Sequence, residues 1–494
     1  MPFSRLCVAE NATRRSQDLR LSCFFSALFL SPSMHVQRRL NDNPGLFRAC
    51  VGTTKSSRHR TCMRKLDEFH RGWPQLIACT AGLGVGVIGL GSYNLGLFAR
   101  DLEQAFGLTK TQYGAGYLAF TLGLAVGLQF WGRMLSRFGA ARTVAASALA
   151  LALCFLAIAA GARSPVTYIG LIGLLGLVGS GTSGLPYTRV VSSWFDRGRG
   201  LALGLTQVGL GLCGAAFPLL IAAVIHRLGW HVGYMALSAL AATGVPIALL
   251  VLRDHRAEAT TSETPPQREE RPHAVDMQAL EREFADAKRS RTFWLMFVAF
   301  TLSTLVVSGN AQHMAPLLAE SGAAPGTAAQ YISLVGIGTI CVRLICGWLS
   351  DYVQASWLMV FSCLVGAAGL LAIHFGGIRY AAFYAFSVGW TFGGEIDLVS
   401  YMCTRYFGLR VFPRVYAWQY GSLCIVAGIG PFSIGWLADR FGSYQPGLML
   451  SALLAIAASA VFALMPRYEQ NDASSKNANP SSTSPQIGPS LHNR

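Results

Sequence analysis

The chain has 494 residues, of which 52% are hydrophobic and 13% charged, a balance too apolar for a soluble domain of this length. A formal charge of +16 would point to nucleic acid in a soluble protein. Here the basic residues fall in short loops and in the N-terminal tail, so membrane topology accounts for them and no nucleic-acid partner is expected.

In chain order, residues 1–72 form a basic tail whose short apolar patch at 23–30 cannot span a membrane. The tail is expected to be disordered, or to precede a true start at Met63. Then come twelve apolar stretches, each near the ~20 residues a helix needs to cross a bilayer core. They lie at 74–97, 112–131, 143–161, 166–189, 201–223, 230–252, 293–313, 327–348, 357–375, 380–402, 413–433 and 445–465. A charged segment, 253–291, with an amphipathic stretch at 277–288, separates a first group of six, 73–252, from a second, 292–466. A Ser/Asn/Pro-rich tail, 467–494, is expected to be disordered. The predicted class is an all-α membrane protein, twelve transmembrane helices in two six-helix bundles.

The basic residues give the orientation. Arg133, Arg137, Arg142, Arg197, Arg199, Arg405, Arg410, Arg414 and the central linker fall on one side. That side is the cytoplasm by the Lys/Arg bias, so both termini are expected inside a plasma or bacterial inner membrane. The 12 cysteines show no CxxC spacing and no His/Cys ligand pattern, so neither a disulfide framework nor a metal site is expected. Glycine runs at Gly82-Leu-Gly-Val-Gly86 and Gly179-Ser-Gly-Thr-Ser-Gly184 lie inside spans with no Walker lysine, and are read as helix-packing surfaces. No hydrolase triad or nucleotide site is present, so no enzyme activity and no cofactor are expected.

The loop after span 2 reads Gly132-Arg-Met-Leu-Ser-Arg-Phe-Gly-Ala-Ala-Arg142, and the one after span 8 begins Gly347-Trp-Leu-Ser-Asp-Tyr352. Both resemble the G-x-L-x-D-R-x-G-R-R signature of the major facilitator superfamily, with Ser136 in place of the usual acid. The resemblance implies two related halves and a gating role for Gly132, Arg133, Arg137, Gly139, Arg142 and Asp351. In that role Gly132 lets helix ends approach closely and the arginines latch the cytoplasmic side. Trp194-Phe-Asp-Arg-Gly-Arg-Gly-Leu-Ala-Leu-Gly204 is similar to the WFxxRRGLAxG stretch of monocarboxylate transporters and the oxalate–formate antiporter family. Arg71-Gly-Trp73, Arg405-Tyr-Phe-Gly408, Tyr420-Gly421 and Asp439-Arg-Phe-Gly-Ser-Tyr444 share that look. Span 5, Gly209-Leu-Gly-Leu-Cys-Gly-Ala-Ala-Phe-Pro218, lacks the GxxxGPxxGG pattern of drug–proton antiporters.

Ionisable groups inside spans are costly and therefore functional candidates. Arg343 in span 8 matches the arginine that, by resemblance, binds the substrate carboxylate, and a guanidinium suits a carboxylate. Glu395 and Asp397 in span 10 are the candidates for proton coupling. Two residues apart they point about 200° apart, so only one can face Arg343, and Glu395 is favoured. Tyr93, Asn94, Gln207, Asn310 and Tyr420 are candidate substrate contacts, each with the alternative of a helix–helix hydrogen bond. His313, near an end of span 7, is expected to be exposed. Span 11 lacks the lysine found there in the oxalate carriers, so one carboxylate fits better than two, and span 1 lacks the lysine that animal monocarboxylate carriers use for proton transfer, which moves proton coupling to span 10.

The expected function is secondary transport of a small organic anion, a monocarboxylate, by alternating access with proton coupling, in a monomer or weak oligomer. An anion antiporter or metabolite exporter, and from another class a transporter-like receptor, are the alternatives.

Overall fold

The computed structural model describes residues 55–195, 199–253, 277–350 and 353–467. Asp351 and the tails up to 54 and from 468 lie outside them. The chain divides into two units, Met1–Asp67 and Glu68–Arg494, and every expected span falls in the second.

Every regular element among the described residues is helical. They are α1 (Lys55–Gly84), α2 (Ala99–Phe106), α3 (Lys110–Gly161), α4 (Pro165–Gly179), α5 (Gly184–Trp194), α6 (Arg199–Leu228) and α7 (Trp230–Leu250). After the linker come α8 (Met277–Arg289), α9 (Arg291–Glu320), α10 (Pro325–Leu349), α11 (Ala355–Gly376), α12 (Ala381–Phe441) and α13 (Gln445–Ala463). In hydrocarbon a helix satisfies its own backbone groups, which explains why long apolar runs take this form.

Nine stretches of the described residues are long and apolar enough to cross a membrane. Two of them, of 52 and 54 residues, are long enough to cross twice. The first span completes the expected twelve; it is not among the nine because it is broken and the unbroken part belongs to a helix that reaches back into a charged stretch. α1 stops at Gly84, and the chain continues as a π turn, Ile88–Ser92, and a 3-10 turn, Leu95–Phe98.

A second break, the 3-10 turn Ser180–Thr182 between α4 and α5, lies against the first. Thr182 Oγ1 accepts the Val87 N–H at 2.9 Å. The carbonyls freed on α4 are taken up as well: Trp131 Nε1 donates to Leu177 O at 3.1 Å and Ser147 Oγ to Val178 O at 2.6 Å. A side chain on Gly86 would strike the Thr182 carbonyl. The glycine runs thus pack closely, as expected, but at breaks rather than along smooth helices.

Gly139 separates spans 2 and 3 within α3 at φ 79°, ψ 174°, a conformation essentially reserved for glycine. Gly408 does the same between spans 10 and 11 at φ 78°, ψ 165°. Gly132, expected to let helix ends approach closely, has no such neighbour in this state: a Cβ there would meet nothing within 4 Å.

Tyr168, Phe155, Phe98 and Tyr234 anchor one core of the first half, and Phe293, Phe300, Met359 and Phe462 one of the second. The halves meet along two helix pairs. On α6 and α10, a Cβ at Gly336 would collide with the backbone of Gly211, Gly214 and Ala215. On α3 and α12, Gly114 abuts Pro431 and Phe432, Gly428 abuts Leu118 and Thr121, and Gly435 abuts Lys110 and Thr111. The linker helix α8 lies on the second half, where Arg410 Nη1 and Glu283 Oε1 are 2.7 Å apart.

Candidate functional site

A cavity of about 120 Å³ lies between the halves. Ser92, Tyr93 and Tyr117 line it from the first half, and Thr304, Gln312, Phe392, Glu395, Tyr420 and Cys424 from the second. Val307, Ile332, Val335, Ile396 and Leu423 make most of the remaining wall apolar.

Arg343 stands beside this cavity rather than in its wall. It is 9% exposed, and its Nη1 is 3.5 Å from Asp397 Oδ1. That is an ion pair but not a hydrogen bond, and Nε and Nη1 have no acceptor among the described residues. Buried donors of a charged group left without acceptors are costly.

The expected pairing of Arg343 with Glu395 is corrected. Asp397 is the partner, its side chain 42% exposed, while Glu395 is 5% exposed and points into the cavity wall. Thr304 Oγ1 donates to Glu395 Oε1. The spacing of two residues separates the two carboxylates as helix geometry requires, but the rotation of α12 places Asp397, not Glu395, on the arginine.

The tyrosines reach the cavity. The Tyr93 ring meets Phe392 edge-on at 6.0 Å, beside Thr339, and Tyr420 stacks on Tyr416 at 5.4 Å. The asparagines do not. Asn94 Nδ2 donates to the carbonyls of Gly89 and Leu90, at 3.3 and 3.1 Å, and so secures the broken first span. Asn310 Nδ2 donates to Val306 O and Ser451 Oγ, at 2.8 and 3.0 Å, and its Oδ1 accepts from Tyr384 at 3.3 Å, all within the second half. Gln207 is half-buried on α6, outside the cavity lining. Arg133, Arg137 and Arg142 are exposed and make no ion pair with a described residue; Arg137 lies 5.2 Å over its neighbour Phe138.

The halves are tied instead at the opposite end. Asp439 of α12 sits on the first turn of α3, accepting from Lys110 N at 3.2 Å, Thr111 N at 2.7 Å and Thr111 Oγ1 at 2.6 Å. A carboxylate there satisfies orphan N–H groups and meets the positive helix end. Lys110 Nζ is 3.4 Å from Glu320, which also accepts from Ser443 Oγ and Tyr444 N, at 2.8 and 3.0 Å. His313 is fully buried here, not exposed as expected: its Nδ1 meets Tyr444 Oη at 3.1 Å and its Nε2 meets Pro431 O at 2.8 Å. Nothing in the sequence marks this latch beyond isolated charges in short loops. Asp439 was legible only as part of a motif.

Relatives agree with this architecture. The chain is 26% identical over 420 residues to monocarboxylate transporter 11 of Homo sapiens, covering 80% of this chain and 83% of that protein. It is 24% identical over 354 residues to YhjX, an uncharacterized MFS-type transporter of Escherichia coli (strain K12), covering 69% and 82%. Among solved structures, a D-xylose–proton symporter superimposes with a TM-score of 0.61 at 14% identity, covering 80% of this chain and 98% of that one. A bacterial homologue of the human lysosomal transporter Spinster gives 0.60 at 14% identity, covering 78% and 95%. At that identity these two attest the fold alone. The model of the Major Facilitator Superfamily matches residues 81–396 and 313–489. With its two helical halves and a cavity between them, this chain is a multi-pass membrane transporter that belongs to the Major Facilitator Superfamily.

Proposed function

We propose that the protein carries a small, largely apolar organic monoanion, a monocarboxylate, together with a proton. The observation that carries this reading is Arg343, a buried guanidinium whose Nε and Nη1 have no acceptor among the described residues. An apolar cavity of about 150 Å³ holds a benzene-sized molecule, so about 120 Å³ suits an acid with a short aliphatic or branched body. Glu395 in the wall disfavours a second carboxylate on the same ligand.

The charge cycle follows from the ion pair. In the empty carrier Asp397 offsets Arg343. An incoming carboxylate takes the guanidinium, and the displaced Asp397, with 42% of its side chain exposed, accepts a proton. The buried charge is unchanged by the exchange, which avoids the cost of an unpaired ion in the membrane. The basic loops around 133–142 and 405–414 place the end opposite the latch in the cytoplasm, so the latch around Asp439 closes the outer side.

The test is uptake of labelled mono- and dicarboxylates into proteoliposomes, with and without an inward proton gradient. Gradient-stimulated uptake of a monoacid is expected, abolished in Arg343→Ala. In Asp397→Asn, exchange is expected to persist without its pH dependence. Uptake of no carboxylate, or uptake indifferent to Arg343, would sink the reading.

A further inference from the structure

A second, larger cavity of about 640 Å³ lies between the halves at the latched end. Its size is in the range of small-molecule sites, and its walls differ in character. The charged lining, Arg100, Asp101 and Arg227, comes from the first half, which also contributes apolar residues such as Leu219 and Ile225; apart from Gln330 the second half contributes only alanines and Pro316. Two guanidiniums against one carboxylate leave this lining net positive. Neither Arg100 nor Arg227 has a hydrogen bond or ion pair within the described residues, so both guanidiniums have donors open to a ligand.

The barrier to the central cavity is one helical turn thick. Ser92 and Gln312 line the central cavity, and Gly96, Leu97, Ala315 and Pro316 line the larger one. Between them Gln312 Nε2 donates to Ser92 O at 2.9 Å, and Gly96 packs so near that a Cβ would be 2.9 Å from Gln312 O.

We infer that this cavity is a second binding site, which docks an anionic amphiphile with its head group on Arg100 and Arg227 and its apolar body against the alanine and proline wall of α9 and α10. Two sources share that chemistry: the carried acid waiting behind the Ser92–Gln312 barrier, and the head group of an anionic lipid. The first source rests on the monocarboxylate reading above; the site itself does not.

The test is equilibrium binding of labelled naphthalene-1-sulfonate to Arg343→Ala protein in phosphatidylcholine nanodiscs, where the central site is disabled. Binding is expected, weakened about tenfold or more by adding Arg100→Gln and Arg227→Gln and restored by the corresponding lysines. Competition by the monoacid that the uptake assay selects identifies the carried acid as the occupant. Competition by phosphatidylglycerol, with the same arginine dependence, identifies the lipid. Absence of binding in the Arg343→Ala background, or binding indifferent to Arg100 and Arg227, overturns the inference. A protein that binds this probe through Arg100 and Arg227 but transports no carboxylate sinks the transport reading and leaves the docking site standing.

Discussion

The two ends of the helix pair α3 and α12 behave differently although glycines stud both. Toward Lys110 and Asp439, Gly114, Gly428 and Gly435 bring backbone onto backbone across the halves. Toward the other end, Gly132 and Gly421 have nothing within 4 Å. The second pair repeats this: Gly211 and Gly336 are in tight contact, while Gly204 and Gly347 stand clear. Close-packing glycines are thus distributed over more interface than this state uses. That is what a carrier needs if its halves rock and each end closes in turn.

The contrast is sharpest in stability. Gly336→Leu places a side chain against the backbone of α6, which cannot yield, and is expected to cost about 3 kcal/mol or more. Gly347→Leu is expected to cost less than about 0.5 kcal/mol. Thermal unfolding of both in detergent checks the pair, and equal shifts would show that the spacing of the helices is not as described.

Gly139→Ala comes next, at about 1–3 kcal/mol, because only glycine holds that dihedral comfortably. Gly132→Ala, seven residues earlier in the same signature, is expected to stay within about 0.5 kcal/mol. Should the two cost the same, the signature acts through something other than the turn at Gly139.

A smaller effect is expected at the latch. Asp439→Asn removes a charge from the start of α3 and weakens the closed end by about 1 kcal/mol. Cys424 in the central cavity offers a readout. Its labelling by a membrane-impermeant maleimide added from the latched side is expected to rise about fivefold, with Cys424→Ser as the blank. Unchanged labelling would mean that Asp439 does not hold the end shut. Least of all, Lys110→Gln is expected to change stability by under about 0.5 kcal/mol, since its ion pair with Glu320 is partly exposed. A larger loss would show that the cation over the Tyr444 ring, 4.4 Å from its centre, carries the latch.

The spans were legible because a bilayer dictates length and polarity residue by residue. Rotation and partners were not. The pair Glu395 and Asp397 fixed an angle between two side chains but not which one faces α10. Asn94 and Asn310 read as pore residues because an intramembrane amide needs a partner. Their partners are carbonyls one turn back and a hydroxyl on a helix far along the chain, which periodicity cannot reveal. His313 sits near a span end, a position that suggests water, yet α12 and Tyr444 cover it. The charges in the spans singled out α10 and α12, and packing decided which of them meet.

Tyr93 is wedged between a seam and a chamber. Its ring lies against Gly214 of α6, where a Cβ would be 2.5 Å from the ring edge, and its other face belongs to the central cavity. Turning the ring away from the chamber needs room that the backbone at Gly214 does not leave unless α6 moves with it. The ring thus couples the shape of the chamber to the spacing of the α6–α10 seam: one cannot change at Tyr93 without the other.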